Sequence, residues 1–150
     1  MTEMTYAQAA RLGLQEEMAR DPKVWALGED LGYEGGMAGQ YNDLQAEFGP
    51  DRIVDTPISE STIMGAAVGA ALAGTRPIAE MRFSDFAMCA VSELVNQGAK
   101  ARYMFGGQAR VPMVARMPIG IRGGIAAQQQ VAYRSVDIRH RLQHVGGTGD

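Results

Sequence analysis

The sequence is poor in the residues that form disulfides and metal sites. Cys89 is the only cysteine, which excludes an internal disulfide and is typical of proteins from a reducing compartment. The apolar helical pattern around Cys89 predicts that it is a small core residue. The two histidines, His140 and His144, have no third ligand at metal-binding spacing, so we expect them at the surface rather than in a metal site.

The common nucleotide and zinc signatures are missing as well. The sequence contains no strict GxGxxG, no GxxxxGK[ST], no CxxC and no HExxH motif, which excludes the most frequent dinucleotide, P-loop and zinc sites. Its longest apolar run, residues 63–74, is shorter than the roughly 20 residues that span a bilayer. The N-terminus carries acids and bases throughout, unlike a signal peptide. We therefore expect a soluble, cytoplasmic protein with no membrane partner.

Charge of one sign is not in large excess. The 14 basic and 17 acidic residues give a net charge of −3, which offers no reason to expect nucleic acid as a partner. What the sequence does have is 150 residues with 46% hydrophobic content, enough for one domain with a sizeable core. A small molecule or another protein is the expected partner.

Segments with strand character alternate with helical segments along the chain. Strands are predicted within KVWALGED, RIVDTPI, RPIAEMRF and RVPMVARMP. A first helix is predicted to begin at a cap formed by Thr5 and Gln8 and to stop at Asp21. Further helices are predicted over residues 42–48, 59–72 and 84–105. This alternation predicts an α/β fold with a wound parallel sheet and helices on both faces.

Acidic and aromatic residues follow three of these strands. Glu29 and Asp30 come after the first strand, Glu60 after the second, and Phe83 and Phe86 after the third. Because parallel strands end at one edge of their sheet, these residues are predicted to share a site there. Glu60 has two interpretations: an acid that complements a helix start, worth about 0.3 to 1 kcal/mol, or a buried carboxylate that holds a proton for a heterocyclic nitrogen.

The helix after Glu60 has a face of very small residues, namely Gly65, Ala66, Gly69, Ala70 and Ala73. A face with almost no side chains allows another element to cross closely. That element is either a partner subunit or the sheet of the same chain, and the pattern alone leaves both open. The first alternative predicts an oligomer.

Several blocks of the sequence resemble one known family in order and spacing. They are LGEDLG, RIVDTPISES, GAAVGAALAGTRPIAEMRFSDF, QGAKARYMFGGQARVPMVARMP and GGIAAQ. They resemble the beta subunit of the thiamine-diphosphate-dependent decarboxylating component of 2-oxo-acid dehydrogenase complexes, over about residues 4 to 128. The block KARYMFGGQA is most similar to the acetoin dehydrogenase and bacterial pyruvate dehydrogenase branches.

The resemblance implies that residues 1–128 are an incomplete transketolase-like pyrimidine-binding domain. It also implies an alpha subunit as partner, whose Gly-Asp-Gly motif, absent here, holds the diphosphate and magnesium (Mg2+) of thiamine diphosphate. The cofactor then lies across the alpha/beta interface of a hetero-oligomer. Such an enzyme decarboxylates or cleaves a 2-oxo compound, such as pyruvate or acetoin, and passes the acyl group to the lipoyl-bearing acyltransferase core.

The resemblance also assigns roles to single residues. Glu60 matches the catalytic glutamate that hydrogen-bonds the aminopyrimidine ring nitrogen, and Phe86 matches the aromatic residue that packs against that ring. Glu29 matches an acid of the polar tunnel between paired active sites, with a solvated loop acid as the alternative interpretation. The carbonyl group of Met113 matches a main-chain ligand of a structural potassium (K+) site.

The chain departs from the family pattern near its end. Gln129 stands where the family has a histidine that acts in acid-base and acyl-transfer steps, and glutamine does not titrate. Residues 129–150 show no resemblance, so we expect a divergent tail on a truncated chain that is inactive in isolation. The leading hypothesis is a dehydrogenase subunit. The alternatives are a catalytically silent fragment that assembles with a partner, and a stand-alone flavodoxin-like binding module.

Overall fold

The computed structural model describes residues 3–118 of the chain. They form a parallel sheet of four strands, in the spatial order β2-β1-β3-β4. In chain order the strands are β1 (Val24–Gly28), β2 (Ile53–Asp55), β3 (Arg76–Glu80) and β4 (Val114–Arg116). The predicted α/β fold with a parallel sheet is confirmed.

Residues 3–118 also contain four α-helices, which lie between and beside these strands: α1 (Tyr6–Arg20), α2 (Leu44–Phe48), α3 (Glu60–Leu72) and α4 (Ala101–Met104). At the start of α1 the predicted capping box is present, because the Gln8 amide donates to Thr5 Oγ1 at 3.2 Å and the Thr5 amide donates to Gln8 Oε1 at 2.8 Å. Within residues 3–118, a helix with the length and apolar character of a membrane span does not occur.

The hydrophobic core lies on both faces of the sheet. Ala26 and Leu27 are neighbours in β1, and neighbouring strand residues point to opposite faces. Ala26 belongs to a buried cluster that includes Met18 of α1 and Leu44 of α2. Leu27 belongs to a second buried cluster that includes Ile63 of α3. The two clusters place helices on both faces, as the alternation of the sequence predicted.

The single long helix predicted over residues 84–105 is wrong. The chain forms a 3-10 segment over Ser84–Ala90, a π-helical segment over Ser92–Gly98 and then the short helix α4. Gly98, a poor helix former, lies where an added Cβ would be 3.5 Å from Cγ2 of Val68 in α3. Contacts of both segments with α3 therefore override the local helical pattern.

Cys89 is exposed, so the prediction that it is a core residue is also wrong. The 3-10 geometry gives the reason, because residues three apart then share one face. Ser84 and Ala90 are buried on that face, and Cys89 points away from it. In the α-helix that the sequence suggested, another set of positions would have faced the core.

The small-residue face of α3 does not pack on the sheet. On this face Ala66, Gly69 and Ala73 are exposed and Gly65 and Ala70 are half-buried, whereas a different set of α3 residues is fully buried. The buried set is Ile63, Met64, Ala67, Val68 and Ala71. Of the two predicted uses of the small face, packing on the chain's own sheet is wrong. The use as a subunit contact stays a prediction.

Candidate functional site at the carboxyl edge of the sheet

The order of the strands fixes where a cleft forms. The chain passes from β1 to β2 on one side, and then crosses to β3 on the other side of β1. In open parallel sheets, ligands bind outside the carboxyl ends of the strands, at the point where the winding direction changes. That point lies here between the ends of β1 and β3, which Gly28 and Glu80 occupy.

Glu29 follows β1 directly and is only 8% exposed. Its pKa is raised, first because burial disfavours the charged carboxylate and second because the negative charge of Glu60 is close. The positive charge of Arg82 acts in the opposite direction, and Asp30 adds to the increase. The structure therefore brings Glu29 and Glu60, which are predicted to share a site, close enough for their charges to interact.

Glu60 is the first residue of α3, and it is half-buried. Its carboxylate makes no hydrogen bond and no ion pair with another group of residues 3–118. The preceding residue, Ser59, donates its hydroxyl group to Thr62 Oγ1 at 2.8 Å and does not cap the helix. The Glu60 carboxylate thus lies near a second acid with its hydrogen-bonding capacity unused by the described chain.

Phe83 and Phe86 lie at the start of the 3-10 segment, which packs against α3. Their rings meet edge to face, with centroids 5.7 Å apart and an angle of 79° between the ring planes. Phe86 is 40% exposed. A large part of its ring surface is therefore available to another aromatic group.

Two buried polar atoms lie in the segments that carry these residues. Thr56 Oγ1 and Asp85 Oδ2 have no hydrogen-bond partner within the described part of the chain. The Thr56 amide donates to the Gly28 carbonyl at 2.9 Å, which places Thr56 beside the residue that precedes Glu29. A buried polar atom without a partner costs about 1–3 kcal/mol, so each of these atoms needs an explanation, and a bound group at this edge of the sheet would be one.

Arg82 had no predicted role, and the structure places it beside this site. Arg82 lies 3.3 Å from an oxygen of Asp30 and 3.4 Å from an oxygen of Glu34. Asp30 has a left-handed backbone conformation with a φ of 54°, which is uncommon outside glycine. Arg82 therefore holds the first part of the loop that follows β1 through its ion pairs with Asp30 and Glu34.

A buried cluster around Glu80 was not predicted from the sequence. The Glu80 carboxylate is 3% exposed and accepts hydrogen bonds from Gln40 Nε2 (3.1 Å), the Tyr41 hydroxyl group (3.2 Å) and Arg116 (2.6 Å). Burial raises the pKa of Glu80, and Arg116 counteracts part of that increase. A charged residue within the apolar strand RPIAE was the signal that could have revealed the cluster.

Met113 is half-buried and precedes β4, with its amide donating to the Val111 carbonyl at 2.9 Å. Residues 3–118 contain no group of three acidic, histidine or cysteine side chains that could hold a metal ion. The potassium role of the Met113 carbonyl stays a prediction. Gln129, His140 and His144 lie outside the described residues.

Known proteins with similar sequences belong to one family. The profile of the family "Transketolase, pyrimidine binding domain" matches residues 2–136. The chain is 43% identical over 133 residues to the 2-oxoisovalerate dehydrogenase subunit beta of Bacillus subtilis, which covers 87% of this chain and 41% of that protein. It is 45% identical over 131 residues to the pyruvate dehydrogenase E1 component subunit beta of Rickettsia bellii, covering 87% of this chain and 40% of that protein.

A plant relative is similar at nearly the same level. The mitochondrial pyruvate dehydrogenase E1 component subunit beta-1 of Arabidopsis thaliana is 40% identical over 131 residues, 87% of this chain and 36% of that protein. The chain thus spans about two fifths of the length of these relatives. They confirm the resemblance that the sequence blocks indicated, while the domain boundary at residue 128 stays a prediction. Because the family profile matches most of its length, the chain belongs to the transketolase pyrimidine-binding domain family.

Proposed function

We propose that the chain is the pyrimidine-binding part of the beta chain of a thiamine-diphosphate-dependent 2-oxo-acid dehydrogenase. The family match and the names of the similar proteins support this proposal. An alpha subunit holds the diphosphate and Mg2+, and the aminopyrimidine ring lies at the interface of the two chains. Pyruvate, acetoin and branched 2-oxo acids are the candidate substrate class.

The observation that carries the proposal is the Glu60 carboxylate, which has no hydrogen-bonding partner in the described chain and lies near the buried Glu29. An aminopyrimidine is a flat ring with ring nitrogens and an amino group. Glu60 supplies a carboxyl group for a ring nitrogen, and the exposed surface of Phe86 supplies an apolar contact for the ring face. The unpaired Thr56 Oγ1 adds a hydrogen-bonding atom. These residue types fit the group.

When bound, thiamine diphosphate supplies the electron sink that cleavage next to a carbonyl group requires. The task of this chain is to hold a proton at the ring nitrogen through Glu60. Glu29 supports that task, because its raised pKa keeps a proton available closer to neutral pH than an ordinary carboxyl group does. In the assembled enzyme Glu29 exchanges that proton through the tunnel between active sites.

The complete enzyme needs groups that lie outside this chain. The Met113 carbonyl contributes one ligand to a K+ site whose other ligands lie elsewhere. The complete enzyme transfers its acyl group to a lipoyl-bearing acyltransferase core, in the cytoplasm.

A second candidate function is an assembly module without catalysis. The exposed small face of α3 and the exposed side chains of Val91 and Val95, in segments that pack against α3, favour a surface that a partner chain covers. A third candidate function is a stand-alone binding module. It is considered because the four described strands have the order that is also found in flavodoxin-like folds.

A calorimetric titration with thiamine diphosphate and Mg2+ separates the three candidates. We would titrate the chain alone and together with an alpha subunit, in the parent form, in Glu60→Gln and in Glu16→Gln. Glu16 is an exposed acid of α1 and serves as the matched control. The proposal expects binding only with the alpha subunit, weakened in Glu60→Gln and unchanged in Glu16→Gln. Binding by the chain alone indicates the stand-alone module, and no binding in either case indicates the assembly module.

A further inference from the structure

Glu80 contacts both ends of the loop that begins with Glu29. At the first end, Gly28 packs against it so closely that an added Cβ would lie 2.7 Å from the Glu80 main-chain oxygen. At the far end, Gln40 and Tyr41 donate to the two oxygens of the Glu80 carboxylate, at 3.1 and 3.2 Å. The backbone of Glu80 thus packs against the start of the loop, and its carboxylate holds the place where the loop returns.

Within the loop, backbone hydrogen bonds connect the far end to the first residues. The Tyr41 amide donates to the Gly35 carbonyl at 2.9 Å, and the Gly36 amide donates to the Asp30 carbonyl at 3.0 Å. Gly35 and Gly36 have φ values of 73° and 72°, which glycine adopts without strain. Two backbone hydrogen bonds and the neighbouring residues Gly35 and Gly36 thus link Tyr41 to Asp30, the residue beside Glu29.

Arg116 completes the surroundings of Glu80 from the neighbouring strand β4. Its guanidinium group donates to Glu80 Oε1 at 2.6 Å, so one buried carboxylate accepts three hydrogen bonds from two parts of the chain. Buried charges persist in proteins only when they are paired and hydrogen-bonded in this way. Loss of any one donor therefore leaves a buried charge less well solvated.

We propose that Glu80 is a positioning residue, which through Tyr41 and Gln40 holds the loop so that the carboxyl group of Glu29 stays buried beside Glu60. The functional meaning of this positioning rests on the proposed role of Glu29 and Glu60. The positioning itself is a property of the chain without cofactor. It can therefore be tested separately.

Glu29 and Glu80 are surrounded by different charged groups, so effects on the two can be told apart. Glu29 interacts with the charges of Glu60, Arg82 and Asp30. Glu80 interacts with Arg116 and Tyr41 and is not among the groups that shift Glu29. A change at Glu80 or Tyr41 that alters the titration of Glu29 must then act through the position of the loop.

The test is a carboxyl-carbon NMR titration of Glu29 in the full 150-residue chain, together with hydrogen exchange of the Gly36 and Tyr41 amides. Tyr41→Phe removes one hydrogen bond to Glu80 without a change of charge, and Glu80→Gln is the second variant. Thr75→Val is the control, since Thr75 accepts a hydrogen bond from Trp25 Nε1 at 3.1 Å at the opposite edge of the sheet.

In Tyr41→Phe we expect the pKa of Glu29 to fall towards its ordinary value of 4.5, because the loosened loop admits water. We expect exchange at Gly36 to accelerate about tenfold or more, as loss of a hydrogen bond to a charged group implies. Glu80→Gln should act in the same direction, and Thr75→Val should leave both quantities unchanged. A Glu29 titration that is unaltered in Tyr41→Phe overturns the proposal, whatever Glu80→Gln shows. Cofactor binding plays no part in either outcome.

Discussion

Gly28 and Glu80 are in such close contact, at the ends of neighbouring strands, that a Cβ on Gly28 would lie 2.7 Å from the main-chain oxygen and 2.9 Å from the Cβ of Glu80. A backbone oxygen in a paired strand cannot move aside. Gly28→Ala is therefore expected to destabilise the chain by about 1–3 kcal/mol, measured by urea denaturation.

The control for Gly28→Ala is Gly13→Ala. Gly13 lies inside α1, and an added Cβ there would meet nothing within 4 Å. Alanine in a helix interior is favoured over glycine by about 0.5–1 kcal/mol, so this variant should gain stability. Equal effects of the two substitutions would show that the contact with Glu80 is not tight.

The raised pKa of Glu29 makes folding stability depend on pH. Between its ordinary value of 4.5 and its raised value, the folded chain binds more protons at Glu29 than the unfolded chain does. The contribution of Glu29 to stability is thus complete below about 4.5 and is lost as pH rises through the raised pKa. Urea midpoints measured across this window should fall less steeply in Glu29→Gln than in the parent chain. Parallel pH profiles for the two would contradict the assignment, and Glu16→Gln should follow the parent.

Breaking the ion pair between Arg116 and Glu80 should be costly. Loss of one partner of a buried pair costs about 3–5 kcal/mol, and because the Arg116 side chain is 23% exposed the low end of that range applies. Arg116→Met is thus expected to destabilise the chain by about 3 kcal/mol in thermal or urea unfolding. Arg20→Met, which removes an exposed ion pair with Glu17, should have little effect.

The main features of the fold were predictable because local signals agreed with the final packing. The capping box at Thr5 and the glycine after α3 set helix ends that packing did not change. The prediction for residues 84–105 failed because their conformation depends on contacts with α3, which the local pattern does not show. Gly98 was a visible warning, since glycine in a helix interior lowers helix propensity.

The residues of the candidate site likewise include some that were predictable from the sequence and some that were not. The closeness of Glu29 and Glu60 was predictable from the rule that residues after parallel strands meet at one edge. Glu80, Tyr41 and Arg116 were not found, because their contacts join residues about 40 positions apart or on different strands. Such contacts have no period and no spacing that a sequence pattern can show.

The electrostatic relationship between Glu29 and Glu60 gives a further prediction. The charge of Glu60 is the second largest cause of the raised pKa of Glu29, after burial. Glu60→Gln should therefore lower the pKa of Glu29 but leave it above 4.5, as observed by carboxyl-carbon NMR. The same titration in Glu47→Gln, an acid of α2, should match that of the parent chain. If Glu29 titrates identically in the parent and Glu60→Gln, the two carboxyl groups do not share a site.

We propose that Glu60 holds the proton of the cofactor ring nitrogen, and single-turnover decarboxylation reports on that role at the reacting cofactor itself. The measurement uses a complete beta chain that contains this segment, paired with its alpha subunit at saturating thiamine diphosphate, against pyruvate and branched 2-oxo acids. Glu60→Gln keeps the shape of the side chain and removes the proton exchange. The rate should then fall about 10²- to 10⁴-fold, the usual contribution of general acid-base catalysis, while cofactor binding weakens modestly. A Glu60→Gln enzyme that retains more than about a tenth of the parent rate would contradict the claim, since that loss is below the usual range.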